Sequence, residues 1–274
     1  MSDASLAAQL LRRGAGQKRD PRQSLSLTRW TDRADSSRAA HQVTFSVAGS
    51  YVRPIPRCEL SDLIVVVYSL LSRQVRLTYL QAKSERKRSS GICGHHFAAN
   101  LEQWNLLATR PRISGVAGFN PSADLLSSAV LSSVGAFVFF YKTSAGDFQI
   151  YYASANYLIP ACHYSQRYGK VRAQGPCMVL PTLGHLECKA ACRNASFAES
   201  LYRLEIGTPI DISVSQAAPT RHWLAAQLRS SASQIATRTS IVDGLLDVLG
   251  SRNDARLTAG SFGAKSLIII RAAD

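Results

Sequence analysis

Two apolar runs flank a short polar break in the first third of the chain. Residues 63–68, LIVVVY, are rich in β-branched side chains, which is typical of a strand buried on both faces. Residues 69–74 predict a turn, and residues 75–83 return as a second strand. Together the two runs predict an antiparallel hairpin.

The pattern of apolar and polar positions predicts further elements along the chain. Helical spacing or composition predicts helices at residues 4–13, 97–109, 121–133, 186–204, 220–228 and 241–249. Alternating or β-branched runs predict strands at residues 41–47, 135–142, 148–153 and 266–271. Glycine, proline and polar residues predict flexible or irregular segments at residues 14–40, 84–94 and 154–186.

These elements define a mixed α/β fold class, in which a central mixed sheet has flanking helices and C-terminal helical additions. The predicted organisation has three parts. Residues 1–40 form a basic N-terminal arm with a short helix, and residues 41–155 form the α/β core. Residues 156–274 form an α-rich extension that packs on the core.

Composition narrows the class of protein. The chain has 274 residues, of which 46% are hydrophobic and 18% charged, as in a folded globular protein. No apolar run approaches the roughly 18 residues needed to cross a membrane. The N-terminus lacks the charge order of a secretory signal, so we expect a cytoplasmic protein with no membrane partner.

The charge of the chain indicates a partner. A formal net charge of +14 favours a polyanion such as nucleic acid. Residues 73–88 contain six Lys and Arg against one Glu. Five basic residues of this segment are predicted to hold a phosphate backbone, namely Arg73, Arg76, Arg86, Lys87 and Arg88.

Polar residues lie at the ends of the two predicted strands. Asp62 opens the first strand, and Gln81 and Lys83 project from one face of the second because a strand alternates its side chains. If the strands pair around a turn at residues 70–73, Asp62 faces the region from Gln81 to Lys83. Metal-assisted phosphodiester cleavage uses such a set: oxygen ligands for a hard cation and a cationic group beside it.

The string Asp62…Gln81-Ala82-Lys83 resembles the signature of the PD-(D/E)XK nuclease superfamily, in the variant with Gln in place of the second acid. The segments CELSDLIVVV and LTYLQAKSER are also similar to uncharacterised bacterial proteins with an E-x-x-D…Q-A-K core. The resemblance covers roughly residues 40–155. It implies a restriction-endonuclease-like core, in which a helix follows the second strand of the hairpin.

The resemblance also implies roles for the motif residues. Asp62 would be the central metal ligand, Gln81 a second ligand through its side-chain oxygen, and Lys83 the catalytic lysine. Glu59, three residues before Asp62, would add a carboxylate. The implied cofactor is Mg²⁺ or Mn²⁺, and the implied activity is hydrolysis of phosphodiester bonds, with DNA favoured over RNA. Restriction or phage defence is the implied setting, with a homodimer or partner proteins of a defence system as further partners.

Two other functions stay open. Because Gln81 is neutral, the site carries one negative charge fewer than the family usually has. A degenerate site would leave a nucleic-acid-binding protein that does not cleave. A third reading is an interaction protein whose basic surface meets an acidic partner protein.

The cysteines and tyrosines provide weaker candidates. We expect the six cysteines to be reduced, although Cys188 and Cys192, on one face of the predicted helix 186–204, leave a zinc site open. Several tyrosines interleave with basic residues and could stack on bases beside phosphate contacts. The tyrosines are Tyr151, Tyr152, Tyr157, Tyr164 and Tyr168, and the basic residues are Arg167, Lys170 and Arg172.

Overall fold

The structure is a computed structural model that describes residues 26–31, 42–46, 55–89, 96–117, 119–161, 167–234, 240–250 and 264–272. The strands in these ranges are β1 (Ser26–Thr31), β2 (Gln42–Phe45), β3 (Arg57–Glu59), β4 (Ser61–Tyr68), β5 (Val75–Ser89), β6 (His96–Asn100), β7 (Ile113–Gly115), β8 (Gly135–Thr143), β9 (Phe148–Ser154), β10 (Leu158–Pro160), β11 (Tyr168–Ala173), β12 (Met178–Thr182), β13 (His185–Ala191), β14 (Thr208–Pro209) and β15 (Ala264–Arg271). The α-helices are α1 (Leu101–Thr109), α2 (Asn194–Tyr202), α3 (Ala218–Gln234) and α4 (Ser240–Val248).

A large mixed sheet forms the centre of the molecule. Its strand order is β1-β15-β4-β5-β8-β9-β13-β12, and β14 also pairs with β5. The β4–β5 pair is antiparallel, whereas β15–β4 and β5–β8 are parallel. Two smaller sheets have the orders β10-β11-β6 and β3-β2-β7. The predicted mixed α/β class with a large central sheet is therefore confirmed.

The predicted hairpin forms in the predicted register. Leu63 pairs with Leu80 and Tyr68 pairs with Val75. Continuing this ladder by one residue places Asp62 opposite Gln81, and side chains of directly opposed residues lie on the same face of a sheet. The hairpin is thus the element that brings the two parts of the motif together.

Each face of the central sheet has its own apolar core. Ile64 and Val66 of β4 pack in the larger core with α1, α3, α4 and the two small sheets. Leu63 and Val65, which point the other way, pack in a smaller core with α2. By the alternation of a strand, Asp62 lies on the side of the larger core.

The helix predicted at residues 97–109 begins four residues later. Residues 96–100 form β6, which pairs with β11, and Phe97 is buried in the core. The helix starts after Asn100, whose side chain accepts hydrogen bonds from the backbone N–H groups of Glu102 and Gln103. Pairing with a distant strand therefore overrides the helical spacing of the first residues.

Several other predicted segments differ from the structure. Strand β5 continues through residues 84–89, which the polar pattern assigned to a flexible segment. Residues 121–131 are mostly turns, and only residues 132–134 form a short 3₁₀ helix. The interval 154–186, predicted as irregular, contains β10, β11 and β12. The single helix predicted at 186–204 is β13 followed by α2.

The interval 14–40, predicted as a loop-rich arm, contains β1, which pairs with β15 in the central sheet. The remaining predicted helices and strands are close to the structure. The strands at 41–47, 135–142, 148–153 and 266–271 correspond to β2, β8, β9 and β15, and the helices at 220–228 and 241–249 correspond to α3 and α4. The helix predicted at residues 4–13 lies outside the described residues. None of the helices in the described part of the chain has the length and apolarity needed to cross a membrane.

The described residues beyond 155 are not mainly helical. They contribute β10 to β15 as well as α2, α3 and α4. Strand β15 lies directly beside β4 in the central sheet, and β13 lies beside β9. The sheet therefore continues across the boundary that the sequence predicted after residue 155.

The cysteines are arranged differently from the sequence-based expectation. Cys177 and Cys192 form a disulfide, so the expectation of reduced thiols is wrong for this pair. Cys188 belongs to β13 rather than to a helix and is buried as a free thiol. Burial, as the main cause, raises the pKa of Cys188 to about 11, which keeps the thiol protonated near neutral pH.

The buried carboxylate of Glu187 links β13 to the short 3₁₀ helix before β8. Glu187 accepts hydrogen bonds from the Ser132 hydroxyl at 2.7 Å, the Ser133 N–H at 2.8 Å and the Lys189 Nζ at 2.6 Å. Burial alone would raise the pKa of Glu187, but the hydrogen bonds from Lys189 and Ser132, with the Lys189 charge, hold it below its ordinary value of 4.5. A carboxyl with a lowered folded pKa stabilises the fold above the unfolded value, and the contribution is lost as pH falls below about 4.5.

We therefore predict that Glu187→Gln is less stable than the wild type by about 1–3 kcal/mol at pH 7, because Lys189 loses its anionic partner. The difference should shrink as the pH falls below about 4.5 and the wild-type carboxyl becomes protonated. Urea unfolding of both proteins at pH 7 and at several acid pH values measures this. A difference that stays constant over the whole range would contradict the assigned ion pair.

Candidate functional site

A polar cavity of about 820 Å³ lies between the hairpin and the small sheet that contains β6 and β11. The start of β4 and the middle of β5 form one wall, and the end of β3 lies beside them. The opposite wall consists of β6, the first turn of α1 and the start of β11. Glu59, Asp62 and Lys83, which the sequence singled out, all line this cavity.

Asp62 is fixed by the strand that it faces. Its carboxylate is largely buried, and its Oδ2 atom accepts a hydrogen bond of 3.0 Å from the backbone N–H of Ala82. The Lys83 Nζ atom lies 4.0 Å from the same Oδ2 atom. These contacts follow from the hairpin register, so the sequence prediction that Asp62 and Lys83 are neighbours is confirmed.

Lys83 is held from the other side by α1. Its Nζ atom donates to Gln103 Oε1 at 3.4 Å, and Gln103 Nε2 donates to the backbone carbonyl of Glu59 at 3.4 Å. Gln103 thus bridges the lysine and the end of β3. Gln103 was not predicted as a site residue, although Asn100 followed three positions later by a glutamine is a sequence signal for a helix start.

Gln81 lies beneath the surface of the cavity. The residue is fully buried and does not belong to the cavity lining. Its Nε2 atom donates to the Leu60 carbonyl at 3.3 Å, and its Oε1 atom has no hydrogen-bond partner among the described residues. The role of Gln81 as a metal ligand stays a prediction, and Asp62 and Glu59 are the two carboxylates at the cavity surface.

The predicted phosphate-binding residues do not form one surface. Arg76 is buried, and its guanidinium donates to the carbonyl of Gly207 at 3.1 Å. Its predicted contact with nucleic acid is therefore wrong, because the side chain does not reach the surface. Arg73 lies at the hairpin turn and pairs with Asp247 at 3.4 Å. That turn is ten residues from Lys83, or roughly 33 Å along an extended strand.

Arg86, Lys87 and Arg88 belong to the last part of β5. This part of the strand continues from Lys83 and runs parallel to β8, where Arg88 is in register with Lys142. The side chains of residues 86–88 lie outside the described part of the structure. Their contact with a phosphate backbone stays a prediction.

The tyrosines separate into buried and exposed groups. Tyr151 and Tyr152 are buried, so they are not available for stacking on a base. Tyr168 is 64% exposed on the rim of the cavity, and the Arg167 guanidinium lies 5.5 Å from its ring centre. Tyr164 lies outside the described residues.

The cavity surface suits a hard divalent cation better than a soft one. Asp62 and Glu59 offer carboxylate oxygens, whereas a complete set of three His, Cys, Asp or Glu ligands is not found among the described residues, so water and substrate would have to complete the coordination of any cation. Mg²⁺ is commonly held by one or two carboxylates, with water and substrate phosphate completing its shell. The donor set therefore fits Mg²⁺ or Mn²⁺ that binds together with a phosphate group.

No family model, curated protein or solved structure matches this chain. Function must therefore be inferred from the geometry of the cavity and from the chemistry of the side chains that line it.

Proposed function

We propose that the protein is a metal-dependent nuclease of PD-(D/E)XK type that hydrolyses phosphodiester bonds, with DNA as the favoured substrate. The observation that carries this proposal is the juxtaposition of Asp62 and Lys83, 4.0 Å apart, in a polar cavity that also contains Glu59. An acid at the start of one strand and a lysine on its antiparallel neighbour give the arrangement that this chemistry needs.

The path of the chain around the site supports the same class. The β4–β5 hairpin is followed by β6 and α1, and the chain then returns to the central sheet as β8, parallel to β5. A helix after the second strand is what the sequence resemblance implies. The restriction-endonuclease-like core is therefore proposed for β4, β5, α1 and β8, with the other strands extending the sheet on both sides.

The side chains of the site have different roles in phosphodiester hydrolysis. Asp62 and Glu59 would hold the cation, which when bound supplies Lewis-acid activation of the phosphate and of the attacking water. The Ala82 N–H holds the Asp62 carboxylate in one orientation. The Lys83 side chain, positioned by Gln103, offsets the negative charge that develops on the phosphate and orients the attacking water.

The charge of the whole chain favours a polyanionic substrate. With a net charge of +14, the protein attracts nucleic acid at long range, and the attraction weakens as salt increases. The cytoplasmic location, the defence setting and a homodimer or defence-system partners are parts of the same proposal.

The proposal is tested with labelled DNA and RNA, each single-stranded and duplex, incubated with purified protein and Mg²⁺ or Mn²⁺. We expect cleavage that EDTA abolishes. We also expect Lys83→Ala to lower the cleavage rate about a hundredfold, since removal of one group that stabilises developing charge has an effect of this order.

Arg203→Ala provides a charge-matched control for Lys83→Ala. Arg203 is exposed at the end of α2, on the opposite face of the central sheet, so its loss should leave the rate unchanged. Cleavage by Lys83→Ala at the wild-type rate, or absence of cleavage with either metal, would overturn the nuclease proposal.

The burial of Gln81 favours one alternative, a nucleic-acid-binding protein without catalysis. If a ligand beyond Asp62 and Glu59 is required and Gln81 cannot supply it, the protein binds nucleic acid without cleaving it. This alternative predicts salt-dependent binding that survives both Asp62→Ala and Lys83→Ala, with no cleavage in any metal.

A further inference from the structure

The small sheet that forms one wall of the cavity carries a row of aromatic and basic residues on its outer face. Strand β11 exposes Tyr168, Lys170 and Arg172, whereas Val171 between them is buried in the core. Alternate residues of a strand share a face, so these three side chains point the same way at intervals of about 6.6 Å. Their partners on β6 are Asn100, Ala98 and His96.

Tyr168 is the first residue of this row and reaches the cavity rim. It is a large, exposed aromatic side chain, and Arg167 covers part of its ring at 5.5 Å from the ring centre. Arg167 is itself held by Glu102 of α1 at 3.5 Å. The Arg167 carbonyl also accepts a 2.9 Å hydrogen bond from the N–H of Leu101, so the start of β11 is tied to the start of α1.

The two cations that follow Tyr168 are exposed and have no ion-pair partner in the described part of the chain. They are Lys170 and Arg172, which share a face of β11 with Tyr168. An exposed aromatic ring followed by two exposed cations on one face of a strand is the combination with which proteins hold single-stranded nucleic acid: the ring stacks on a base and the cations meet phosphates.

From these observations we infer that the outer face of β11 and β6, called here the β11 platform, binds a single-stranded segment of nucleic acid and leads it into the cavity. Tyr168 stacks on one unpaired base at the cavity rim, with Arg167 supporting its ring. Lys170 and Arg172 contact the phosphates that lie farther from the cavity. This inference rests on the proposed nuclease function and deepens it by naming an unpaired strand as the substrate.

Duplex DNA would make fewer favourable contacts with the β11 platform than a single strand. The faces of paired bases are covered by their neighbours in the helix, so Tyr168 has no base to stack on unless the duplex opens. An acidic peptide would satisfy Lys170 and Arg172 but would gain nothing comparable from a tyrosine ring. The position of Tyr168 at the entrance therefore favours nucleic acid with an unpaired base.

The platform is tested by fluorescence polarisation with labelled oligonucleotides of about twelve nucleotides, a length within the range that single-strand sites cover. Single-stranded DNA, single-stranded RNA and duplex DNA are each titrated with the full chain in EDTA, so that cleavage does not interfere. We expect Tyr168→Ala to weaken single-strand binding about tenfold, as loss of one base stack does, and Tyr168→Phe to restore it. Duplex binding should change much less.

The cations are tested through the salt dependence of binding. Loss of two phosphate contacts should lower the slope of log K against log salt by about 1.4 for a single strand. We expect this for Lys170→Ala combined with Arg172→Ala. The control, Arg193→Ala combined with Arg203→Ala, removes the same charge at the two ends of α2, where neither residue lines the cavity, and should leave the slope unchanged.

The outcomes separate this inference from the nuclease proposal. Single-strand binding that depends on Tyr168 supports the platform even if no cleavage is found, because the binding assay contains no metal. Equal binding by wild type and Tyr168→Ala overturns the platform even if Lys83 proves essential for cleavage. Poly-glutamate binding that is as tight as DNA binding and requires Lys170 and Arg172 but not Tyr168 also overturns it.

Discussion

Replacing Asp62 with asparagine is expected to lower the rate of phosphodiester cleavage about a thousandfold, which corresponds to about 4 kcal/mol of transition-state stabilisation. Asparagine keeps the size of the side chain and an oxygen that accepts the Ala82 N–H, but it removes the negative charge. The loss should therefore come from weaker cation binding and from the missing charge beside Lys83. Single-turnover cleavage assays over a range of Mg²⁺ and Mn²⁺ concentrations measure it.

Two further measurements show whether the effect arises at the proposed site. A ligand that binds the folded state raises the thermal stability of the protein, so Mg²⁺ should stabilise the wild type more than Asp62→Asn. Nucleic-acid binding in EDTA should be unchanged or tighter, because the variant loses a negative charge.

Asp247→Asn is the matched control for Asp62→Asn. Asp247 pairs with Arg73 near the hairpin turn, away from the cavity, so its replacement should leave both cleavage and the Mg²⁺ effect intact. If Asp62→Asn cleaved like the wild type, the assignment of Asp62 as the central ligand would be wrong.

The hairpin could be predicted from sequence because its determinants are local. A run of β-branched residues, a turn of a few residues and a side-chain period of two together leave little freedom in the register. The register that places Asp62 opposite Gln81 required only the position of the turn. The proximity of Asp62 and Lys83, on which the proposed function depends, could therefore be predicted without a structure.

The rest of the site depends on contacts between distant segments. Strand β11 was not recognised because only Val171 faces the core from its centre, and its partner β6 lies about seventy residues earlier in the chain. Because β6 pairs with β11, Phe97 lies in a strand, although its spacing in the sequence predicted a helix. Gln103 reaches Lys83 only because β6 and α1 are placed against the hairpin in this way.

Burial of polar side chains was the other feature that sequence patterns did not reveal. Gln81 follows the alternation of β5 as predicted, yet it lies beneath the cavity surface rather than on it. In the sequence, Arg76 belongs to a segment that is rich in basic residues, and such a segment is typical of phosphate binding. Its acidic neighbours Glu187 and Asp211 come from segments more than a hundred residues away, so no local pattern could indicate that the arginine is buried.

Replacing Arg76 with alanine is expected to destabilise the fold by about 2–4 kcal/mol, because the change removes a buried hydrogen bond to the carbonyl of Gly207 and leaves a cavity in the interior. Burial is the main cause that lowers the pKa of Arg76 to about 10, while Asp211, Glu187 and Glu205 act in the opposite direction. The guanidinium is therefore still charged at pH 7, and it offsets carboxylates that are buried with it. Without this charge those carboxylates stay in the interior with less compensation.

Urea unfolding at pH 7 measures the effect, and two variants identify its origin. Arg76→Met keeps most of the side-chain volume, so it should be destabilised less than Arg76→Ala but still clearly. Arg73→Ala removes an exposed arginine three residues away and should change stability by only about 0–1 kcal/mol. If Arg76 instead contacted phosphates, Arg76→Met would keep its stability and lower the salt slope of single-strand DNA binding by about 0.7. The buried position predicts the opposite pair of results, because the guanidinium donates to the carbonyl of Gly207 in the interior and does not meet the substrate.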